Sequence, residues 1–271
     1  MQLEVLHLTE YLYPQDAWDS FNEVWAYPVD DYRQHLLQFD LQLSPQAPVR
    51  SRIDYFGNRV HDFHVSDGHG VLRVEVKARV LTFATAVPHK VPVIALEPLQ
   101  TRFFEYLAPT RRIPLDRNWA AEFGLVEPDP HDDLVEYLQQ VTTQLFGLFT
   151  YSTAATTVDT PLEVFAHLRA GVCQDYAQAM LAVLRSVGIP CRYASGYLAT
   201  GVGSEGSHAW VEAYHPGTGW IGFDPTNHTQ LTEQYVKVAH GRDYDDCPPT
   251  KGLRRGGGRE DLKVEVRVRA V

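Results

Sequence analysis

The block from residue 170 to residue 227 constrains this chain more than any other part of it. Gly171 permits a tight turn, and residues 173–187 are a run of good helix formers that Gly188, Ile189 and Pro190 bring to a stop. The apolar positions of that run (Ala177, Met180, Leu181, Val183, Leu184, Val187) cover more than a narrow stripe, so the helix is expected to be deeply buried. Strand-like segments follow at residues 191–198, 208–214 and 220–223. Pro216, Gly217, Thr218 and Gly219 supply the hairpin turn between the last two, and a flexible-looking glycine loop at residues 201–206 precedes them.

Upstream, the period changes. Leu37, Phe39, Leu41 and Leu43 alternate with polar neighbours, as do Leu72, Val74, Val76 and Ala78 with Arg73, Glu75, Lys77 and Arg79. Phe56, Gly57 and Asn58 mark a turn between two short strands. Period-two patterning with one polar face implies half-solvated antiparallel sheets, and a β-sandwich-like domain over residues 1–85 is the simplest reading. Beyond it, Asp132 can cap a helix carrying Leu134, Tyr137, Leu138, Val141 and Leu145, and Pro161 can open a short helix to Leu168. Residues 86–271 then read as a second domain. Its stretch after Asn227 looks irregular and includes a mobile-looking triple glycine at 256–258. Leu262, Val264, Val266, Val268 and Ala270 alternate cleanly, and we expect them to close the edge of that second domain's sheet.

The chain's 271 residues, 44% hydrophobic and 21% charged, suffice for a packed core and a cleft. A net charge of −10 argues against nucleic acid or an anionic membrane surface as partner. The basic stretch at 251–259 reads as a solvated loop. The opening residues lack a basic region followed by an apolar block, and no apolar run is long enough to span a bilayer. Three cysteines, Cys173, Cys191 and Cys247, form no C-x-x-C pair and favour a reducing compartment, with the cytoplasm as default. His208, His215 and His228 have no cysteines at zinc spacing, and Asp129, Asp132 and Asp133 lack the rest of a calcium loop. No phosphate loop occurs. No cofactor and no metal are expected.

Thiol acyl transfer needs a reachable thiolate, a base, a group that orients the base, and donors for an oxyanion. Cys173 sits where a glycine turn delivers the chain into a long helix, facing unpaired N–H groups and the positive end of the helix dipole. Its own N–H is the obvious first oxyanion donor. His208 opens a strand after the glycine loop, and Asp224 ends the returning strand. A turn centred near Gly217 puts residues 208 and 224 at about the same level, where the carboxylate can take the second ring N–H. Each residue alone has a plain structural reading: a buried small hydrophobe, a strand-end histidine, a turn aspartate before Pro225. Together they occupy positions from which one site can be assembled.

The segments GVCQDYAQAMLAVLRSVGIPCRYASGYL and SHAWVEAYHPGTGWIGFDPTN resemble the core of the transglutaminase-like superfamily. The similarity is closest to its bacterial two-domain group, to which Asp54-Tyr55-Phe56-Gly57-Asn58 and Gly241-Arg242-Asp243-Tyr244 with Asp246 also correspond. The resemblance implies an α+β fold: an N-terminal β-sandwich-like domain, then a papain- or transglutaminase-like core with the nucleophile at a helix N-terminus packed on an antiparallel sheet. It makes Cys173 the nucleophile, His208 the base and Asp224 its orienter.

Gln174 can donate to an oxyanion or hold the helix start. Asp175 suits the first helical turn, with Arg192 or Arg242 as possible partners. Tyr151 can line an acyl cleft or pack the core, and Trp210 and Trp220 can pack the sheet or wall the cleft. Cys191 reads as a small filler. The implied reaction is acyl transfer on a peptide or glutamine-type amide through a thioester. Hydrolysis by a protease or amidase is favoured, because no obvious module for an amine donor is present. Protein-glutamine crosslinking and a non-catalytic interaction module on the same fold are the alternatives. A protein or peptide substrate is the expected partner, and the sequence leaves the oligomeric state open.

Overall fold

The computed structural model describes residues 1–84, 88–201 and 206–271. The chain begins with one very long strand, β1 (Gln2–Val24), followed by β2 (Gln34–Ser44), β3 (Val49–Ile53), β4 (Arg59–Val65) and β5 (His69–Thr82). The first half of β1 pairs antiparallel with β5, which pairs with β2. The register shifts between Leu12 and Ala17, and the second half of β1 pairs with β4, which pairs with β3. The sheet therefore curls about the bend in β1. Phe63 and Val65 of β4 share one apolar cluster with Leu72, Val74 and Val76 of β5, so the two halves face each other as in a sandwich. β5 carries the foreseen alternation: Leu72, Val74, Val76, Ala78 and Val80 are buried. In β2 the alternation breaks at Leu37. The register slips between Leu36 and Gln38, and the intervening residue is turned out, 52% exposed.

The core follows as short 3₁₀ turns at Val93–Leu99 and Phe104–Tyr106, then α1 (Trp119–Glu122), α2 (Leu134–Leu148), β6 (Thr150–Tyr151), α3 (Leu162–Leu168), β7 (Ala170–Gly171) and α4 (Cys173–Ser186). Next come β8 (Cys191–Leu198), β9 (His208–His215), β10 (Gly219–Asp224), β11 (Thr229–Gln230) and β12 (Tyr235–Gly241). These last five form an antiparallel sheet in the order β11-β10-β9-β8-β12. The helix α4 is buried from Cys173 through Arg185, in accord with its broad apolar surface. It lies against the face of the sheet bearing Ala209, Val211 and Ala213. Asp133, one residue later than expected, caps α2 by accepting the Glu136 N–H at 3.0 Å.

Two expectations for the C-terminal part are corrected. The strand β12, almost wholly buried and broken in register only between Lys237 and Ala239, occupies part of the stretch that looked irregular. The chain then returns to the N-terminal domain as β13 (Thr250–Gly256) and β14 (Asp261–Ala270). β14 pairs with β1 from Leu3↔Ala270 to Leu12↔Asp261, and β13 pairs with the far half of β1. The last strand thus closes an edge of the first domain's sheet instead of the core's. Alternation specifies a half-buried strand without naming its partner, and only Val266 on it is buried. From the last residue of β13 into the turn before β14, Gly256, Gly257 and Gly258 all have left-handed φ, +68°, +79° and +67°. The turn packs on the bend of β1, where a Cβ at position 256 would stand 2.3 Å from the Trp18 ring. The boundary expected at residue 85 and most of the 201–206 loop lie outside the described residues.

One apolar cluster joins the two parts, running from Leu3, Val5, Ala78 and Val80 into Tyr197, Val236 and Val238. At this junction His7 bonds Tyr197 Oη at 2.7 Å and Thr9 Oγ1 at 3.0 Å. Burial holds its imidazole neutral, with a pKa of about 4. No helix among the described residues is long and apolar enough to cross a membrane.

Candidate active site

The site begins with the turn into α4. Val172, the N-cap, is extended, and Asp175 reaches back to accept its N–H at 2.8 Å. The same carboxylate oxygen accepts from Thr156 Oγ1 at 2.7 Å. Asp175 therefore pins the helix start to the loop before it, and pairs with neither Arg192 nor Arg242, which are bound to Glu212 and Asp246. Burial raises its carboxyl pKa, against the pull of these two donors. Gly171 is required by closeness: a Cβ there would sit 2.4 Å from Asp175 Oδ2 and 2.8 Å from the Phe165 ring. With the turn so fixed, Cys173 occupies the first helical position. It is 8% exposed, with Sγ 4.0 Å from the Ser207 carbonyl oxygen. The N–H groups of Cys173 and Gln174 have no intrahelical acceptor, as the start of any helix dictates.

His208 is the first residue of β9, and Asp224 the last of β10. Their strands pair with Gly219 opposite His215 and Phe223 opposite Val211. Continuing that register sets Asp224 opposite Trp210, so the two residues are diagonal neighbours on one face and not level as expected. A diagonal separation is still within reach of these side chains. His208 Nε2 lies 2.7 Å from Asp224 Oδ2, both side chains being fully buried. The other ring nitrogen, Nδ1, is buried without a hydrogen-bond partner among the described residues. Burial alone would depress the imidazole pKa. It is outweighed by negative charge on the Cys173 sulfur and by the Asp224 hydrogen bond, and the pKa rises to about 10. The ring is thus an imidazolium lying between a sulfur and a carboxylate.

Asp224 is unusually well held. Its Oδ1 accepts the backbone N–H groups of Thr226 and Asn227 at 2.8 and 3.2 Å. Its Oδ2 accepts from Asn227 Nδ2 at 2.8 Å and Tyr235 Oη at 2.7 Å besides His208. Burial opposes ionisation, yet His208 and these donors keep its pKa below the usual value. The turn after Asp224 carried a visible signal for the first group of contacts, since an Asp-Pro-Thr-Asn sequence favours an Asx turn. Tyr235 carried none. It is eleven residues away, on the strand that the sequence did not reveal.

The remaining candidates take different places. Gln174 Nε2 donates to the Val158 carbonyl at 2.9 Å, which gives it a loop-holding contact. Tyr151 stands beside the turn into α4, because β6 and β7 pair with Tyr151 opposite Gly171. Trp210 is completely buried among Ala194, Leu198, Leu231 and Tyr235, so it packs the sheet and lines no open cleft. Trp220, at the far end of the hairpin, stacks Arg192 at 4.3 Å. All three cysteines are free, and burial pushes the thiols of Cys191 and Cys247 up, that of Cys191 to about 11. No group of three or more His, Cys, Asp or Glu side chains among the described residues is arranged to hold a metal ion.

Residues 122–225 match the family model of the transglutaminase-like superfamily, and residues 3–81 match that of the bacterial transglutaminase-like N-terminal region. A protein of Mycobacterium leprae called uncharacterised is 35% identical over 281 residues, covering 98% of each chain. The chain belongs to the transglutaminase-like superfamily. Proteins with this fold are usually enzymes, cysteine proteases and transglutaminases among them. A protein-glutamine gamma-glutamyltransferase of Pseudomonas aeruginosa is 30% identical over 201 residues, 70% of this chain and 30% of its own. A solved structure from Cytophaga hutchinsonii, described as a candidate cysteine protease, superposes with a TM-score of 0.78 at 23% identity. The match covers 100% of this chain and 91% of that one, which makes the fold common to both.

Proposed function

We propose that the protein is a cysteine-dependent acyl-transfer enzyme acting on a peptide or glutamine-type amide, with water as the acceptor. The observation that carries this reading is a thiol at a helix N-terminus beside a buried histidine whose far nitrogen is held by a carboxylate. In this scheme the Cys173 sulfur attacks the amide carbonyl carbon, and its electron pair forms the carbon–sulfur bond. The carbonyl oxygen takes negative charge and is stabilised by the free N–H groups at the start of α4. His208 gives its proton to the departing nitrogen, and the carbon–nitrogen bond breaks to leave a thioester. Neutral His208 then removes a proton from water, the resulting hydroxide attacks the thioester, and the sulfur leaves as thiolate beside a restored imidazolium. Asp224 keeps the ring oriented throughout.

The named similarity to a protein-glutamine gamma-glutamyltransferase favours a second reading, in which a lysine-type amine resolves the thioester. The two differ only in the acceptor. Incubation with a glutamine-containing peptide library, with and without an amine probe, separates them by mass. Cleaved or deamidated products support hydrolysis, and probe-bearing peptides support crosslinking. If the Cys173→Ala variant yields the same products as the wild type, both readings fall and a binding role on this fold takes their place. Three free thiols accord with a reducing compartment, and we place the protein in the cytoplasm on that ground.

A further inference from the structure

The inner sheet's edge strand, β12, is bound along its length by side chains of the N-terminal domain. Gln34 meets the backbone of Lys237 with both ends of its amide, Nε2 to the carbonyl at 2.9 Å and Oε1 to the N–H at 2.8 Å. Asn58 does the same at His240, at 2.8 and 2.9 Å. Each amide thus stands in for a strand residue on an edge that would otherwise be open. Just before the strand, Arg33 Nη2 donates to the Thr232 carbonyl at 3.0 Å, and Thr82 Oγ1 to the Glu233 carbonyl at 2.6 Å.

Tyr235 is the first residue of the strand so gripped. It is 5% exposed, its ring centroid is 6.2 Å from that of His208, and its hydroxyl donates to the Asp224 oxygen that also holds the histidine. A donor on that oxygen disperses the carboxylate's charge. The more charge it disperses, the less firmly Asp224 holds the proton on His208. That matters for a histidine that must surrender its proton to a leaving nitrogen: an imidazolium bound too tightly is a poor general acid.

We propose that Tyr235 is a positioning residue that tempers Asp224 so that His208 can release its proton, and that the N-terminal domain fixes it in place through Gln34 and Asn58 on β12. This rests on the acyl-transfer reading of the site. The charged and titratable groups facing the relay are Cys173 from α4, Asp224 from β10, Tyr235 from β12 and, from the N-terminal domain, Arg33.

The test is the pH profile of Cys173 alkylation by iodoacetate, an anion drawn to the imidazolium, so that the alkaline limb reports loss of the His208 proton. Wild type and His208→Ala come first. A wild-type profile without a His208-dependent limb overturns the acyl-transfer reading itself. With that limb present, Tyr235→Phe is expected to move it upward by about half a pH unit or more, since the carboxylate loses a stabilising donor. It is also expected to lower kcat about tenfold at unchanged KM, the scale of one hydrogen bond to a charged group. Gln34→Ala moves the limb in the same direction by less. Should Tyr235→Phe fail to fold, Tyr235→3-fluorotyrosine keeps the ring and strengthens the donor, and the limb moves downward. A limb that stays at the wild-type position in the position-235 variant overturns the proposal, whatever the loss of thermal stability. A Gln34→Ala profile superimposable on wild type overturns the part given to the N-terminal domain.

Discussion

Replacing Asp224 with Asn removes the charge on which the account of His208 depends. In the folded protein the imidazole pKa rises from its ordinary 6.5 to about 10, and at ~1.4 kcal/mol per pH unit that rise is a preference for the imidazolium of about 5 kcal/mol. The Cys173 sulfur and Asp224 supply it jointly, against burial. Removing an adjacent carboxylate is expected to lower the pKa by about 1–3 pH units. The amide also fits the site badly. Side-chain donors converge on one carboxylate oxygen and backbone N–H groups on the other, so the NH₂ faces donors in either orientation. A titration of the His208 ring by ¹⁵N NMR reads the first effect directly. Unfolding by denaturant reads its consequence. A group with a raised folded-state pKa stabilises fully below its unfolded value and loses that contribution as pH climbs through the folded one. Wild-type stability should therefore fall by about 5 kcal/mol from this group between pH 6.5 and pH 10, and in Asp224→Asn the fall should be smaller by about 1.4–4 kcal/mol and be complete about 1–3 pH units lower. A ring pKa in the variant within about half a pH unit of wild type would refute the argument.

Gly196→Ala is expected to prevent folding or to lower Tm sharply, because the new Cβ would stand 2.0 Å from the Val236 carbonyl oxygen and 2.7 Å from the Trp210 ring. Gly147→Ala, on α2 with nothing within 4 Å of its Cβ, should instead add about 0.5–1 kcal/mol, so thermal melts of the two variants should diverge. Glu212 is buried between Arg192, at 2.6 Å, and Lys237, at 3.0 Å. Burial resists its charge, but the two cations hold its carboxyl well below the ordinary 4.5. Glu212→Gln leaves Arg192 uncompensated and should cost about 3–5 kcal/mol in equilibrium unfolding at neutral pH. The penalty should shrink below pH 4.5, because a group with a depressed folded-state pKa loses its contribution as pH falls.

What could be read from the sequence was what local pattern encodes. The breadth of the apolar face on α4 announced its burial, and the glycine at 171 announced the turn that delivers Cys173 to the helix start. The strand pair carrying His208 and Asp224 was legible from one hairpin turn, although the true register made them diagonal neighbours. What could not be read was partnership at a distance. The alternation of Val264, Val266 and Val268 gave a strand without saying that β1, more than 250 residues earlier, was its mate. Leu37 followed the pattern of its neighbours until a bulge turned it outward. The strand β12 escaped notice because its Lys237 is polar yet buried, paired with Glu212 and Asp31 on other elements. With β12 unseen, neither Tyr235 nor the amide clamps of Gln34 and Asn58 had a strand to belong to. The sequence could reveal Cys173, His208 and Asp224, which lie on local signals. It could not reveal the support for Asp224, which comes from the tertiary fold.

The measurement that bears most directly on the central claim is capture of the acyl group itself. Wild-type protein turning over a reactive peptide from the library is quenched in acid, digested and mapped by mass. A Cys173 thioester intermediate puts the peptide's acyl moiety on the fragment containing Cys173, released by hydroxylamine and absent from Cys191 and Cys247. Product formed without any adduct on Cys173, and formed equally well by Cys173→Ala, would contradict it.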